Sequence, residues 1–311
     1  MRVVFLGTPE FAVPSLHALL SGRHEVVAVF TQPDRPKGRG NMVTESAVKR
    51  AAVAAEIPVY QPSRIRRPQC VDLLRTLQAE LMVVVGYGQI IPQSIIDLPK
   101  HGILNVHASL LPKYRGAAPI QWAIANGETE TGVTIMQIDA GLDTGDMLLK
   151  ERIAIGPDET TPELSERLAP LGAQLLSQTV EQISRGTVQR EPQNNDEATY
   201  ALILKKEDGL IDWTFPVHQI YNRMRGFQPW PGAYTTFRNQ QLLLLRATPR
   251  ENSPLSPGVL RAENRHLFAG CGHNTALEIL ELQLAGKRPM SAQAFLNGYK
   301  VTEGEMMGEN A

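Results

Sequence analysis

Asn105 and His107 stand two residues apart where an apolar run, Gly102-Ile103-Leu104, gives way to Ser109-Leu110-Leu111-Pro112. The run reads as a short buried strand. Alternate residues of a strand point to one face, so this amide and this imidazole address the same space. Further on, Asp139-Ala140-Gly141-Leu142-Asp143-Thr144-Gly145-Asp146 follows a second strand-like run, Val133 to Ile138. Its two glycines permit a tight bend that brings a carboxylate in from another direction. An amide, an imidazole and a carboxylate together can polarise a carbonyl and move a proton.

Other chemistries find less support. No serine nucleophile elbow and no H-E-x-x-H zinc spacing occurs. Of the remaining histidines, His17 and His24 flank a helix end, His101 begins a strand, and His218, His266 and His273 lie in the second domain; all read as structural or solvated. Gly7-Thr8-Pro9 follows the first strand, where a dinucleotide fingerprint would open, but Pro9 occupies the place of the second glycine, which the pyrophosphate approach requires. What remains is acyl transfer without a protein nucleophile, in which donor and acceptor are held together.

The elements that must position these groups are legible from apolar patterning. Val3 to Leu6, Val26 to Phe30, Ile57 to Val59 and Leu81 to Val85 are apolar strands. They alternate with helical stretches at Phe11–Leu20, Ser46–Glu56 and Cys70–Ala79. Strands apolar on both faces argue a mostly parallel sheet covered by helices, an α/β fold. Gly86-Tyr87-Gly88-Gln89-Ile90 lies at the carboxyl end of the fourth strand, where open α/β sheets keep their ligands. Thr131 to Ile138 and Met147 to Ile155 read as an antiparallel pair. Thr161 as N-cap and Pro162 open a long helix with a leucine stripe from Leu164 to Leu176.

Arg190 to Tyr200 is a polar break. The expected division is residues 1–189, a linker over 190–206, and 207–311 as a smaller β domain. Leu210–Trp213, Gly232–Phe237, Gln241–Ala247, Pro257–Leu260 and Ala276–Leu284 are short strand-like runs, as in a small β-barrel or sandwich, with a helix at His218–Arg225. Between Pro216 and Lys300 ten Lys and Arg stand against four acids, a net of +6. Between Thr31 and Arg50 five cations, among them Arg35, Lys37 and Arg39, stand against two acids, a net of +3. The whole chain of 311 residues carries a formal charge of only −1, so any nucleic-acid partner must be held by local patches. Two cysteines argue neither a disulfide framework nor a metal cluster, and no apolar stretch is long enough to span a membrane. A cytoplasmic monomer without metal is the expectation.

Asn105-Val106-His107 with Ser109–Pro112, Arg115-Gly116-Ala117-Ala118-Pro119-Ile120, Gly132–Met136 and Asp139–Asp146 closely resemble the methionyl-tRNA formyltransferase family of 10-formyltetrahydrofolate-dependent transformylases. Phe5–Pro9, Thr31–Gly40, Arg225–Pro231 and Ser291-Ala292-Gln293 extend the resemblance over nearly the whole chain. It implies a Rossmann-like formyltransferase domain followed by a C-terminal OB-like β-barrel that contacts tRNA. It implies transfer of a formyl group from 10-formyltetrahydrofolate to the methionine α-amine of initiator methionyl-tRNA. Asn105 would bind the formyl oxygen, His107 would stabilise it and shuttle a proton, and Asp143 would orient the imidazole. Ser109, Leu110, Leu111 and Pro112 would hold the folate, with Gly86, Tyr87, Gly88, Gln89, Ile90 and Ala140, Gly141, Leu142 meeting the pterin. Arg35, Lys37 and Arg39 match the loop that grips the acceptor end of the tRNA. Here that loop continues with Asn41-Met42 where family members often carry lysines, which implies a weaker grip.

The Asn, His and Asp set is shared by all such transformylases; the basic loop and the β domain select the tRNA enzyme. Formylation of a small amine, hydrolysis of the formyl-folate, and an RNA-binding module without catalysis are the rival readings.

Overall fold

The computed structural model describes residues 1–37 and 42–308. Two compact units emerge, and the chain passes between them more than once. The first takes Met1–Pro119, Glu130–Ala154 and Leu164–Leu202; the second takes Ile120–Thr129, Ile155–Glu163 and Ile203–Ala311.

The first unit contains strands β1 (Arg2–Gly7), β2 (Glu25–Phe30), β3 (Arg35–Lys37), β4 (Met42–Thr44), β5 (Val59–Tyr60), β6 (Leu81–Val85), β7 (Ile103–His107), β8 (Arg115–Gly116), β9 (Glu130–Gln137), β10 (Met147–Ala154) and β11 (Tyr200–Ala201). Helices α1 (Val13–Leu20), α2 (Ala47–Ala54), α3 (Pro68–Thr76) and α4 (Gln93–Ile96) connect its early strands. Next come α5 (Pro119–Ala125), which runs into the second unit, and α6 (Thr161–Arg185), which runs back from it. A seven-stranded sheet has the order β10-β9-β7-β6-β1-β2-β5. The five strands from β7 to β5 are parallel, β9 runs against them, and β10 runs antiparallel to β9. Val3 to Leu6 and Leu81 to Val85 are buried throughout, as strands covered on both faces must be. The expected α/β fold and the antiparallel pair are both present.

Local chemistry sets the helix starts. Ser46 caps α2 by accepting from the Lys49 N–H at 3.0 Å. At α6 the sequence pointed to Thr161 as the cap, but Thr160 holds that place. Its N–H and hydroxyl both donate to Glu163 Oε2, at 2.8 and 2.7 Å, which is the reciprocal half of a capping box. These bonds hold the Glu163 carboxyl below the usual carboxylate range. The basic stretch read as a loop contains a hairpin, β3 against β4, with Arg35 opposite Thr44.

The second unit is an antiparallel sheet of β12 (Ala233–Phe237), β13 (Gln240–Arg250), β14 (Leu260–Glu263), β15 (His266–Cys271), β16 (Thr275–Leu284) and β17 (Met290–Ser291). The order is β12-β13-β16-β15-β14, with β17 on β16. Irregular register around Arg246 bends β13. Helices α7 (Val217–Gly226) and α8 (Ala292–Gly298) complete this unit's core with Val217, Ile220 and Phe295, packed among Trp213, Phe237, Leu242, Leu267 and Leu277. Leu210–Trp213 is not a strand. Asp212 instead accepts from the Thr214 N–H and hydroxyl at 2.9 and 2.6 Å, closing a turn, and only Leu210 bridges to Tyr234.

Side-chain partners also sort the unit's basic excess. Arg225 is buried and donates to the Gly156 and Glu159 carbonyls at 3.2 and 3.0 Å. Arg250 pairs with Glu278, Arg238 with Glu305, and Arg223 holds the Asp208 carbonyl. Arg246, Arg265, Lys287, Arg288 and Lys300 are exposed.

Candidate active site

Strand β7 lies between parallel β6 and antiparallel β9, so its carboxyl end is fixed from both sides: Asn105 registers with Val84 and Met136, and His107 with Thr134. Asp143 enters from the turn between β9 and β10. Asp139 organises that turn by accepting from the Gly141 N–H at 3.0 Å and the Thr144 hydroxyl at 2.7 Å. Gly145 passes so close to Gln137 that a Cβ would overlap its carbonyl oxygen, so only glycine fits. Asp143 itself sits at φ 51°, in the left-handed region that aspartate tolerates better than most residues.

The three side chains meet. Asn105 Nδ2 donates to Asp143 Oδ1 at 3.2 Å, and the backbone N–H of Gly116 donates to Asp143 Oδ2 at 2.9 Å. His107, 5% exposed, places Nε2 at 2.9 Å from the Tyr114 carbonyl oxygen and Nδ1 at 3.7 Å from Asp143 Oδ2. A carbonyl oxygen can only accept, so Nε2 carries a hydrogen and Nδ1 is the nitrogen free to gain or lose a proton. One amide hydrogen of Asn105 is spent on Asp143. The second is available to an oxyanion.

The expected folate residues divide into those built into the fold and those offered outward. The Ser109 hydroxyl donates to the Lys113 carbonyl at 2.6 Å, and Leu111 is buried against Met136 and Met147. Thr134 ties this turn down: its hydroxyl donates to the Ser109 carbonyl at 2.7 Å and accepts from the Leu111 N–H at 3.2 Å. Leu110 and Pro112 are half-buried. Gln89 accepts from the Ile65 N–H and donates to the Pro62 carbonyl, at 2.6 and 3.0 Å. The Tyr87 ring is buried in the core, which pushes its phenol well above its ordinary range. Gly86, Gly88, Ala140 and Gly141 are exposed, as are Ile90 at 91% and Leu142 at 57%. Two bare aliphatic side chains on these loops suit a flat apolar ligand.

On the same sheet edge a cavity of about 650 Å³ opens beyond β1, β2 and β6, between Thr8, Gln32 and Gly86–Gly88 on one side and Arg35 and Arg50 on the other. Arg35 is exposed at the start of β3. Lys37 ends that strand, and Arg39 lies outside the described residues. Lys49 is matched by Asp34 and Glu45 at 2.5 and 3.0 Å, and Arg50 by Glu10 at 2.8 Å, so those two cations are already paired.

Sequence reasoning missed the groups that hold the centre in place. They are the Tyr114 carbonyl, the Gly116 N–H, Thr134, and the buried Arg115 with its partner Gln193. Backbone groups leave no compositional signal, and Gln193 lay inside a stretch notable only for polarity. His266 and His218 face acids more distant in sequence, Glu278 and Glu251, at 2.5 and 2.8 Å. Among the described residues no cluster of His, Cys, Asp and Glu has the grouping of a metal site.

Residues 1–180 match the family described as Formyl transferase, and residues 203–300 match the Formyl transferase C-terminal domain, which sets the class of protein that this sheet and site define. Among curated proteins, the methionyl-tRNA formyltransferase of Solibacter usitatus is 57% identical over 311 residues, covering 99% of both chains. That of Koribacter versatilis is 53% identical over 309 residues, again covering 99% of both. The chain belongs to the methionyl-tRNA formyltransferase family. Among solved structures, WlaRD, a sugar 3N-formyl transferase crystallised in the presence of dTDP and 5-N-formyl-THF, aligns with a TM-score of 0.69 at 19% identity, over 93% of this chain and 99% of that one. At that identity the likeness speaks for the fold.

Proposed function

We propose that this protein transfers the formyl group of 10-formyltetrahydrofolate to the α-amine of initiator methionyl-tRNA. The observation that carries the chemistry is the convergence of Asn105, His107 and Asp143 at the end of β7, with Asp143 held by both Asn105 and the Gly116 N–H. The amine nitrogen attacks the formyl carbon, and negative charge gathers on the formyl oxygen. Asn105 donates its second amide hydrogen to that oxygen, an interaction strongest in the transition state. His107 takes a proton from the attacking amine at Nδ1 and returns it to the departing folate nitrogen, so the pair of transfers leaves the enzyme unchanged. Asp143, 3.7 Å from Nδ1, favours the imidazolium between those two events.

The turn Ser109–Pro112, the exposed Gly86, Gly88 and Ile90, and the exposed Ala140–Leu142 segment form the folate side of the centre. Arg35, which lines the cavity, is with Lys37 and Arg39 assigned to the acceptor end of the tRNA, and the exposed Arg246, Arg265, Lys287, Arg288 and Lys300 give the second unit its RNA-facing charge. The enzyme is read as acting as a monomer. A role in translation initiation places it in the cytoplasm.

The test is transfer of labelled formyl from 10-formyltetrahydrofolate to charged initiator tRNA, run beside small amines such as an amino sugar nucleotide. Labelling of the small amine alone would overturn the assignment. His107→Ala is expected to lower the rate by about 100- to 10,000-fold while folate binding, read by fluorescence, persists.

A further inference from the structure

Residues 190 to 202 run along the first unit as a strap. Glu191 exchanges both backbone hydrogen bonds with Met147 at 2.9 Å, and further on β11 pairs in parallel with β8. Between these anchors, Gln193 reaches toward the catalytic turn. Its Nε2 donates to the Asp143 carbonyl at 2.8 Å and to the Gly145 carbonyl at 2.7 Å. Its Oε1 accepts from Arg115 Nε at 3.0 Å and Nη2 at 2.8 Å. Arg115, 2% exposed, also donates to Asn195 at 2.9 Å. Both hydrogens and both lone pairs of the Gln193 amide are therefore engaged, which fixes its orientation: reversed, its NH2 would face a guanidinium that can only donate.

We propose that Gln193 is a positioning residue for formyl transfer, setting the Asp143 carboxylate relative to His107 and Asn105. This rests on the catalytic role assigned to Asp143 above. The two segments that the amide joins are the two that define the centre. Tyr114–Gly116 supplies the carbonyl that holds His107 and the N–H that holds Asp143, while Asp143–Gly145 carries the carboxylate itself. The Asp143 peptide lies in the left-handed region, so a rotation of its carbonyl would swing the side chain away from Nδ1. Gln193 holds that carbonyl directly. No other standard side chain of this length supplies two donors to the carbonyls and an acceptor to the guanidinium at once; glutamate lacks the donors and methionine lacks both. Because the strap is anchored by backbone bonds on both sides, loss of this one side chain leaves its path in place.

The experiment is steady-state formyl transfer by the full-length chain carrying Gln193→Met, Asp143→Asn, or both, with Gln193→Glu as a fourth variant. Gln193→Met is expected to lower kcat by about 100-fold, the scale of a displacement on the order of 1 Å at a reacting centre, with KM for both substrates nearly unchanged. In the Asp143→Asn background the same change should cost less than about threefold, because residues acting through one another are non-additive. Gln193→Glu keeps the Arg115 acceptor and should lose kcat as Gln193→Met does; it carries the test if the methionine variant does not fold. A wild-type kcat in both Gln193 variants, a loss confined to KM, or a full second loss on top of Asp143→Asn would overturn the proposal. Asp143→Asn at the wild-type rate would instead overturn the role of Asp143, and the Gln193 proposal with it, and that single variant distinguishes the two failures.

Discussion

Thr134→Val separates the scaffold of the folate turn from its chemistry. Thr134 is buried, and its hydroxyl ties β9 to the Ser109–Pro112 turn by donating to the Ser109 carbonyl and accepting from the Leu111 N–H. Valine fills the same volume and suits a strand, so the change removes two hydrogen bonds without opening a cavity. Each bond contributes roughly 1 kcal/mol net, and two buried backbone groups are then left without a partner, so the total cost is about 3 kcal/mol. For a unit of this size that corresponds to a melting temperature lower by about 6–12 °C. Calorimetry of the full-length chain reads the stability, and initial rates against folate concentration read the site. KM for formyl-folate should rise while kcat at saturation falls little, because the turn that holds the ligand loosens and the β7 groups do not. Thr134→Ser keeps the hydroxyl and should restore most of both. A valine variant that melts within about 2 °C of wild type, a shift of less than 1 kcal/mol, would show that the hydroxyl does not tie down the turn.

Two further perturbations probe the second unit. Burial pushes Glu278 up, but hydrogen bonds from His266 and Arg250 outweigh it and leave its carboxyl below the ordinary glutamate range. A depressed folded value means that the stability is fully present above the unfolded value of about 4.3 and is lost as pH falls through the folded one. Glu278→Gln should therefore melt lower than wild type at pH 7, with the gap closing in acid; a gap that stays constant to pH 3 would refute this. Gly226→Ala should destabilise α7, because a Cβ there would lie 2.8 Å from the Ala125 nitrogen and 2.9 Å from the Gln121 carbonyl oxygen, both backbone atoms unable to move aside. Equal melting temperatures for the two proteins would show that the helices separate at little cost.

The shared face of Asn105 and His107 was legible because strand periodicity is a strong signal: Leu104 and Val106 mark the alternation on which they ride. The buried run Leu81–Val85 was legible for the same reason. Other features depended on long-range partners that local pattern does not encode. Leu210–Trp213 has strand-like residues, yet the Asp212 carboxylate found the Thr214 N–H and made a turn. Strand β15 went unread because His266 at its start looks like a loop residue until Glu278 is placed beside it. Counting charge was the least reliable guide. Arg223, Arg225, Arg238 and Arg250 contribute to the net of +6 but serve as internal ties, so the number of cations in a sequence overstates the number facing a partner. The residues 190–202 were legible as polar, while their attachment to the first unit depends on Arg115, many residues earlier.

That attachment has a consequence for the order in which the protein is made. A nascent chain released as far as residue 189 already holds Asn105, His107 and Asp143, together with every strand of the main sheet. It lacks Gln193, and it lacks the β11 residues that pair with the strand carrying the Gly116 N–H. On the roles proposed above, the groups of the centre are synthesised early and aligned late. On that reading, competence for formyl transfer during elongation arrives with the strap rather than with Asn105, His107 and Asp143.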